Sequence, residues 1–140
     1  MIIQFSIVFL CSILSLGYGG FLIKQVLEAP EGSERMREIA SAIQEGAQAY
    51  LNRQYVTISA VGLLIAVLLF YLIHNPFVSI GFILGAFLSG LAGYVGMFVA
   101  VRANVRTTEA ATESLDKALD ISFKSGAITG FLVVGFGLLG

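Results

Sequence analysis

Every charged side chain in this 140-residue sequence falls in one of two segments, Lys24 to Arg53 and Arg102 to Lys124. The eight Lys+Arg and nine Asp+Glu leave the rest of the chain free of charge. A helix needs about 20 mostly apolar residues to cross roughly 30 Å of hydrocarbon. Three uncharged runs meet or approach that length: Ile2 to Ile23, Val56 to Ile73 and Phe77 to Val101. A fourth follows Lys124 to Gly140. It is short unless it begins near Ile121 and Lys124 snorkels to the interface. The sequence therefore predicts an all-α, polytopic membrane protein with about four transmembrane helices, at 2–23, 56–73, 77–101 and about 121–140. The last of these reads as truncated.

Composition supports that class. The chain is 57% hydrophobic and 12% charged, with mean hydropathy +0.90, where soluble domains carry about 25% charged residues. The formal net charge of -1 lacks the basic footprint of a nucleic-acid binder. The single cysteine, Cys11, excludes an internal disulfide and a cysteine-based zinc site. The Ile2–Ile23 run has no basic residues before it and no small-residue cleavage site near its end, so it reads as a retained helix rather than a signal peptide.

Orientation follows from the basic residues. Lys24, Arg35, Arg37, Arg53, Arg102, Arg106, Lys117 and Lys124 all lie in the two charged loops. Two crossings separate those loops, so they share one side. The other side carries only the chain start and the His74-Asn75-Pro76 turn. The positive-inside rule then makes loops 24–54 and 102–124 cytoplasmic and the N-terminus external.

Both loops read as helices. Met36, Ile39, Ala40, Ile43, Ala47 and Tyr50 repeat at spacings of three and four, giving an amphipathic helix over 31–54 with Ser33 as N-cap. No strong breaker separates it from Val56, so it extends the second span as a rod. Ala111, Leu115, Ala118 and Leu119 give a second cytoplasmic helix over 107–124, capped by Thr107 or Thr108, with Glu113 and Lys117 as an i,i+4 pair. Two readings of these loops stay open: solvated continuations of the spans, or a lid or docking surface over a cytoplasmic site.

In the third span Gly81, Gly85, Ser89 and Gly93 recur every four residues, flanked by Ala86 with Gly90 and by Ala92 with Gly96 and Ala100. Small residues at this spacing let helix backbones approach closely in lipid, so Gly81, Gly85, Ser89 and Gly93 are the expected helix-packing positions. The sequence lacks the buried ionisable groups that ion pumps, proton-coupled transporters and rotor subunits usually carry. None of the first three uncharged runs holds an ionisable residue of the kind ion pathways use. No phosphate-binding glycine loop, paired carboxylate motif or nucleophile elbow appears. The carboxylates are interleaved with bases along helices, and no catalytic, cofactor-binding or metal-binding residue is singled out. Ser6, Ser12, Ser15, Thr57, Ser59 and Ser89 are the polar residues of the spans, and most read as bonded back to their own helix.

Two stretches carry a resemblance. They are MREIASAIQEGAQAYLNRQY, Met36 to Tyr55, and GFILGAFLSGLAGYVGMFVAVRANVRTTEAA, Gly81 to Ala111, with LDKALDISFKSGAITGFLVVGFGLLG continuing from Leu115 to Gly140. Within them the patterns EGAxAYLxRQY and GxxGMxxxVRANVRT resemble the membrane-bound, ion-translocating inorganic pyrophosphatases, as their N-terminal portion. Phe98 departs from the pattern, where a small polar residue is common. The resemblance implies a fold of about sixteen helices in two concentric rings, with this chain supplying outer-ring helices. It implies magnesium-dependent hydrolysis of pyrophosphate at a cytoplasmic site, coupled to outward movement of protons or sodium, in a dimer. The family's metal-binding and ion-gate motifs lie on other helices, so no catalytic or ion-pathway residue carries over to this chain. The expected role is a scaffold within the pump, embedded in the bilayer (the inner membrane in a bacterium) against the remaining helices. The rival is a stand-alone small membrane protein that associates through its small-residue face.

Overall fold

The computed structural model describes residues 2–140. It consists of four helices: α1 (Ile2–Glu28), α2 (Glu34–Ile73), α3 (Pro76–Glu113) and α4 (Leu115–Leu139), with no strand among the described residues. All four are long and apolar enough to cross a membrane. Large apolar side chains such as Phe5, Phe9, Leu63, Leu72, Phe77 and Phe87 are exposed along their flanks. In water such a surface would drive aggregation. In a bilayer such a surface suits lipid or further membrane helices, and the chain is an integral membrane protein.

The helices start and stop where local chemistry dictates. Ser33 accepts from the Met36 N–H and begins α2, a cap worth about 1 kcal/mol. One unbroken helix then runs from the charged segment through the apolar run to Ile73. His74 stops it in the left-handed conformation, φ 55°. Asn75 then caps α3 through the Phe77 N–H, with Pro76 at the first helical position, where a missing N–H costs nothing.

At the second charged segment the structure differs from expectation. The predicted 107–124 helix is not continuous. α3 runs on to Glu113, and the chain turns at Ser114, whose side chain caps α4 through the Lys117 N–H. Thr107 and Thr108 cap nothing. They lie inside α3, where the Thr108 hydroxyl donates to the Asn104 carbonyl. Glu113 and Lys117 pair across the turn rather than along one helix. Because α4 begins at Leu115, it is about 37 Å long. That length spans the bilayer comfortably. Lys124 lies inside it, paired with Asp120 at 2.6 Å.

α3 is the hub: it packs on α4, α2 and α1. α1 lies mainly on α4, and among the described residues α2 touches α3 alone. Leu22 and Val26 of α1, Ala92, Val99 and Ala103 of α3, and Ile128 and Leu132 of α4 form one buried cluster. The core thus sits between three helices, with α2 as an outrigger.

Candidate functional site

Two kinds of polar contact organise this frame. The first is a clasp at the charged end. Arg106 of α3 is buried, with its side chain 8% exposed. Its guanidinium donates from Nε to the Ala29 carbonyl (3.0 Å), and from Nη2 to the Leu27 carbonyl (2.9 Å) and Glu31 Oε1 (2.8 Å). Nη1 donates to the Arg102 carbonyl at 2.7 Å. Leu27 lies in the last turn of α1, where carbonyls have no partner within the helix. A cation at a helix C-terminus also meets the negative end of its dipole. One side chain therefore stops α1, anchors the 29–33 linker and ties both to α3. Beside it, the Glu109 carboxylate lies against Gly32, which has φ 78°. A Cβ at Gly32 would collide with that carboxylate and come within 2.8 Å of Met36 Sδ, so both conformation and space require glycine here.

The second kind is a set of narrow seams within the bundle. Ser12, fully buried, donates to the Gly135 carbonyl at 2.7 Å, and Ser15 to the Phe131 carbonyl at 2.9 Å. These hydroxyls cross from α1 to α4 and do not bond back to their own helix as expected. Thr57 does bond back, to Arg53. Gly135 and Gly96 make the close approach possible. A Cβ on Gly135 would lie 2.6 Å from Leu16 Cγ, and one on Gly96 would lie 2.7 Å from Thr129 Oγ1. Between α2 and α3, Tyr55 donates to the Gly90 carbonyl at 2.8 Å and its ring meets Tyr94 edge-on at 5.4 Å.

The four expected packing positions are spread over two environments. Gly93 faces Tyr55, whose hydroxyl would lie 2.9 Å from a Cβ there. Gly81 and Gly85 meet nothing within 4 Å among the described residues, and Ser89 is exposed. The contact surface of α3 is the neighbouring row, with Ala92, Gly96, Val99 and Ala103 buried. Phe98 carries the Arg102 guanidinium over its ring at 3.5 Å. An aromatic residue at this departure from the pattern thus holds a boundary cation.

A catalytic metal would need clustered anions. Among the described residues no three His, Cys, Asp or Glu side chains come together as ligands. Glu28, Glu31, Glu38, Glu113 and Asp120 each already face a base. Among the described residues the carboxylates are too dispersed to fit a magnesium site.

This frame has known counterparts. The family model described as Inorganic H+ pyrophosphatase matches residues 13–140. The chain belongs to the inorganic H+ pyrophosphatase family. Among its curated relatives is the K(+)-insensitive pyrophosphate-energized proton pump of Methanosarcina mazei. It is 46% identical over 132 residues, which cover 94% of this chain and 20% of the relative. The K(+)-insensitive pyrophosphate-energized proton pump 2 of Moorella thermoacetica is 47% identical over 91% of this chain and 19% of its own length. A putative K(+)-stimulated pyrophosphate-energized sodium pump of Bacteroides thetaiotaomicron is 39% identical over 98% of this chain and 19% of its own. This pyrophosphatase-family chain thus spans about a fifth of the length of the curated relatives it matches. In the sequence Arg106, the central residue of the clasp, is one of eight bases and one of two within the VRANVRT pattern. Its partners lie more than 70 positions away in the chain, at Leu27, Ala29 and Glu31.

Proposed function

We propose that this chain is a structural segment of a pyrophosphate-energised ion pump, the N-terminal outer-ring scaffold of a larger helical assembly. Its work is to hold helices at fixed positions, not to bind pyrophosphate. The observation that carries the reading is the pairing of a family match over residues 13–140 with a polar clasp and close seams, where five of the nine carboxylates already pair with bases. In this proposal the complete pump binds magnesium with pyrophosphate on other helices and moves protons or sodium outward. Relatives bearing both kinds of name support a segment that serves either ion. The charged loops 24–54 and 102–124 face the cytoplasm and the N-terminus faces out, supported by the segregation of all eight bases to those loops. The pump is a homodimer, and the exposed Gly81, Gly85 and Ser89 row receives one of its remaining helices.

The test is direct. The purified 140-residue chain, given magnesium and pyrophosphate in detergent or liposomes, is expected to release phosphate no faster than the buffer does. Hydrolysis proportional to protein concentration would overturn the scaffold reading.

A further inference from the structure

Five of the eight bases have a carboxylate partner: Lys24, Arg35, Arg106, Lys117 and Lys124. Among the described residues no carboxylate pairs with Arg37, Arg53 or Arg102. Arg37 and Arg53 are exposed, and water can serve them. Arg102 is different, because it is half-buried and its guanidinium is held in place. The guanidinium carbon stands 3.5 Å from the centroid of the Phe98 ring, and Nη1 donates to the Phe98 carbonyl at 3.2 Å. A cation–π contact orders such a side chain without neutralising it. The bond to Phe98 takes one of the five N–H donors of the fork.

The surroundings of this charge are graded. Gln44 and Gln48, one turn apart on α2, line a cleft with Arg102 of α3. Each amide brings two further N–H donors. Towards the 74–76 turn the same cleft is apolar and aromatic, lined by Leu51, Tyr94 and Phe98. Donors therefore gather at one end and hydrocarbon at the other. Arg102 lies about 39 Å along α3 from Pro76, and a bilayer with its headgroups is about 40–45 Å thick. With the 74–76 turn among the headgroups of one leaflet, Arg102 stands among the headgroups of the other.

We infer that Arg102, with Gln44 and Gln48, binds the phosphodiester of a glycerophospholipid whose first acyl carbons lie along Leu51 and Tyr94. The phosphodiester supplies the missing negative charge, and its oxygens can accept from the guanidinium fork and from both amides. A free phosphate would suit the donors and gain nothing from the apolar end. A carboxylate on another helix would occupy the fork and leave the two amides over. The inference needs only that α3 crosses the membrane, and it is independent of the reaction the pump performs.

The test uses the chain in the membrane that makes it. A phosphatidylglycerol with a diazirine close to its glycerol is introduced and photolysed, and the adducts are mapped by mass spectrometry. Labelling at Leu51, Tyr94 and Phe98 is scored against Phe21, which is exposed near the charged end of α1. The cleft is expected to be labelled in excess. Arg102→Gln should lower that ratio about tenfold, and Gln48→Leu, at an exposed position that leaves the fold alone, about threefold. Excess unlabelled phosphatidylglycerol should displace the probe, whereas inorganic phosphate and a diacylglycerol with the same chains should not. An unchanged ratio in both variants would overturn the inference. So would a cleft that takes no label, because protein then covers it. Displacement by inorganic phosphate would reassign the site to a free oxyanion, and displacement by diacylglycerol would show an apolar groove indifferent to phosphate. Either result contradicts a phospholipid site.

Discussion

Arg106 is the residue on which this frame most depends. A buried guanidinium is tolerable only when its donors are met, and here four bonds to three segments meet them. Replacing it leaves the Leu27 and Ala29 carbonyls and the Glu31 carboxylate without a partner. Arg106→Gln should destabilise the fold by about 2–4 kcal/mol, discounted for the half-open Glu31. Reversible unfolding in mixed micelles measures it, and a change below about 0.5 kcal/mol would show that the clasp is dispensable. Gly32 belongs to the same device. Gly32→Ala introduces a side chain at positive φ against Glu109, and should lower stability by about 1–2 kcal/mol in the same assay. The serine bonds are smaller contributors. Hydrogen bonds between membrane helices average about 0.6 kcal/mol, so Ser12→Ala should be mild, while Gly135→Leu, which drives a side chain into Leu16, should cost about 1–3 kcal/mol or more.

At the scale of the element, α3 presents three different faces. One is buried against α4 and α1 through Ala92, Gly96, Val99 and Ala103. One meets Tyr55 of α2 through Gly90 and Gly93. The third, with Gly81, Gly85 and Ser89, is open. Substitutions on these faces should separate cleanly. Gly96→Leu should disrupt the chain by itself, because Thr129 occupies the space. Gly85→Leu should leave the isolated chain within about 0.5 kcal/mol of the parent and instead reduce incorporation into the larger assembly, read by native gel or co-purification. If Gly85→Leu unfolds the isolated chain, the open face has been misassigned.

The sequence made some of these elements plain and hid others, for physical reasons. Capping is local, so Ser33 and the Asn75-Pro76 pair could be read directly. Charge segregation is a whole-chain pattern, so four membrane helices followed from it. The break at Ser114 was hidden because Ala111, Leu115, Ala118 and Leu119 keep helical spacing across it. The chain turns at Ser114, which caps α4 as it packs back on α3. The choice among the small-residue rows of α3 was hidden too. Every row satisfies the spacing, and the neighbour decides which one is used. Ser12 and Ser15 showed the same limit, since a hydroxyl can serve its own helix or the next, and the choice depends on how two distant helices align.

As a whole, the molecule is a three-helix core with α2 attached to one flank, and its charges are gathered at one end of the helices. That arrangement suits a supporting segment of a large membrane assembly better than a self-contained catalyst. Its polar groups serve mainly to set the heights and ends of helices, and its family membership supplies the chemistry to which such a frame would be joined. The account stands or falls on whether the two charged segments share one side of the membrane. The most direct measurement places a single cysteine at either segment, Glu45→Cys or Asp116→Cys, in a Cys11→Ser background, and probes sealed right-side-out vesicles with a membrane-impermeant maleimide. Both positions are predicted to stay unlabelled until the vesicles are opened, and then to react together. Labelling of one position and not the other in sealed vesicles would place the two segments on opposite sides and contradict the four-crossing frame.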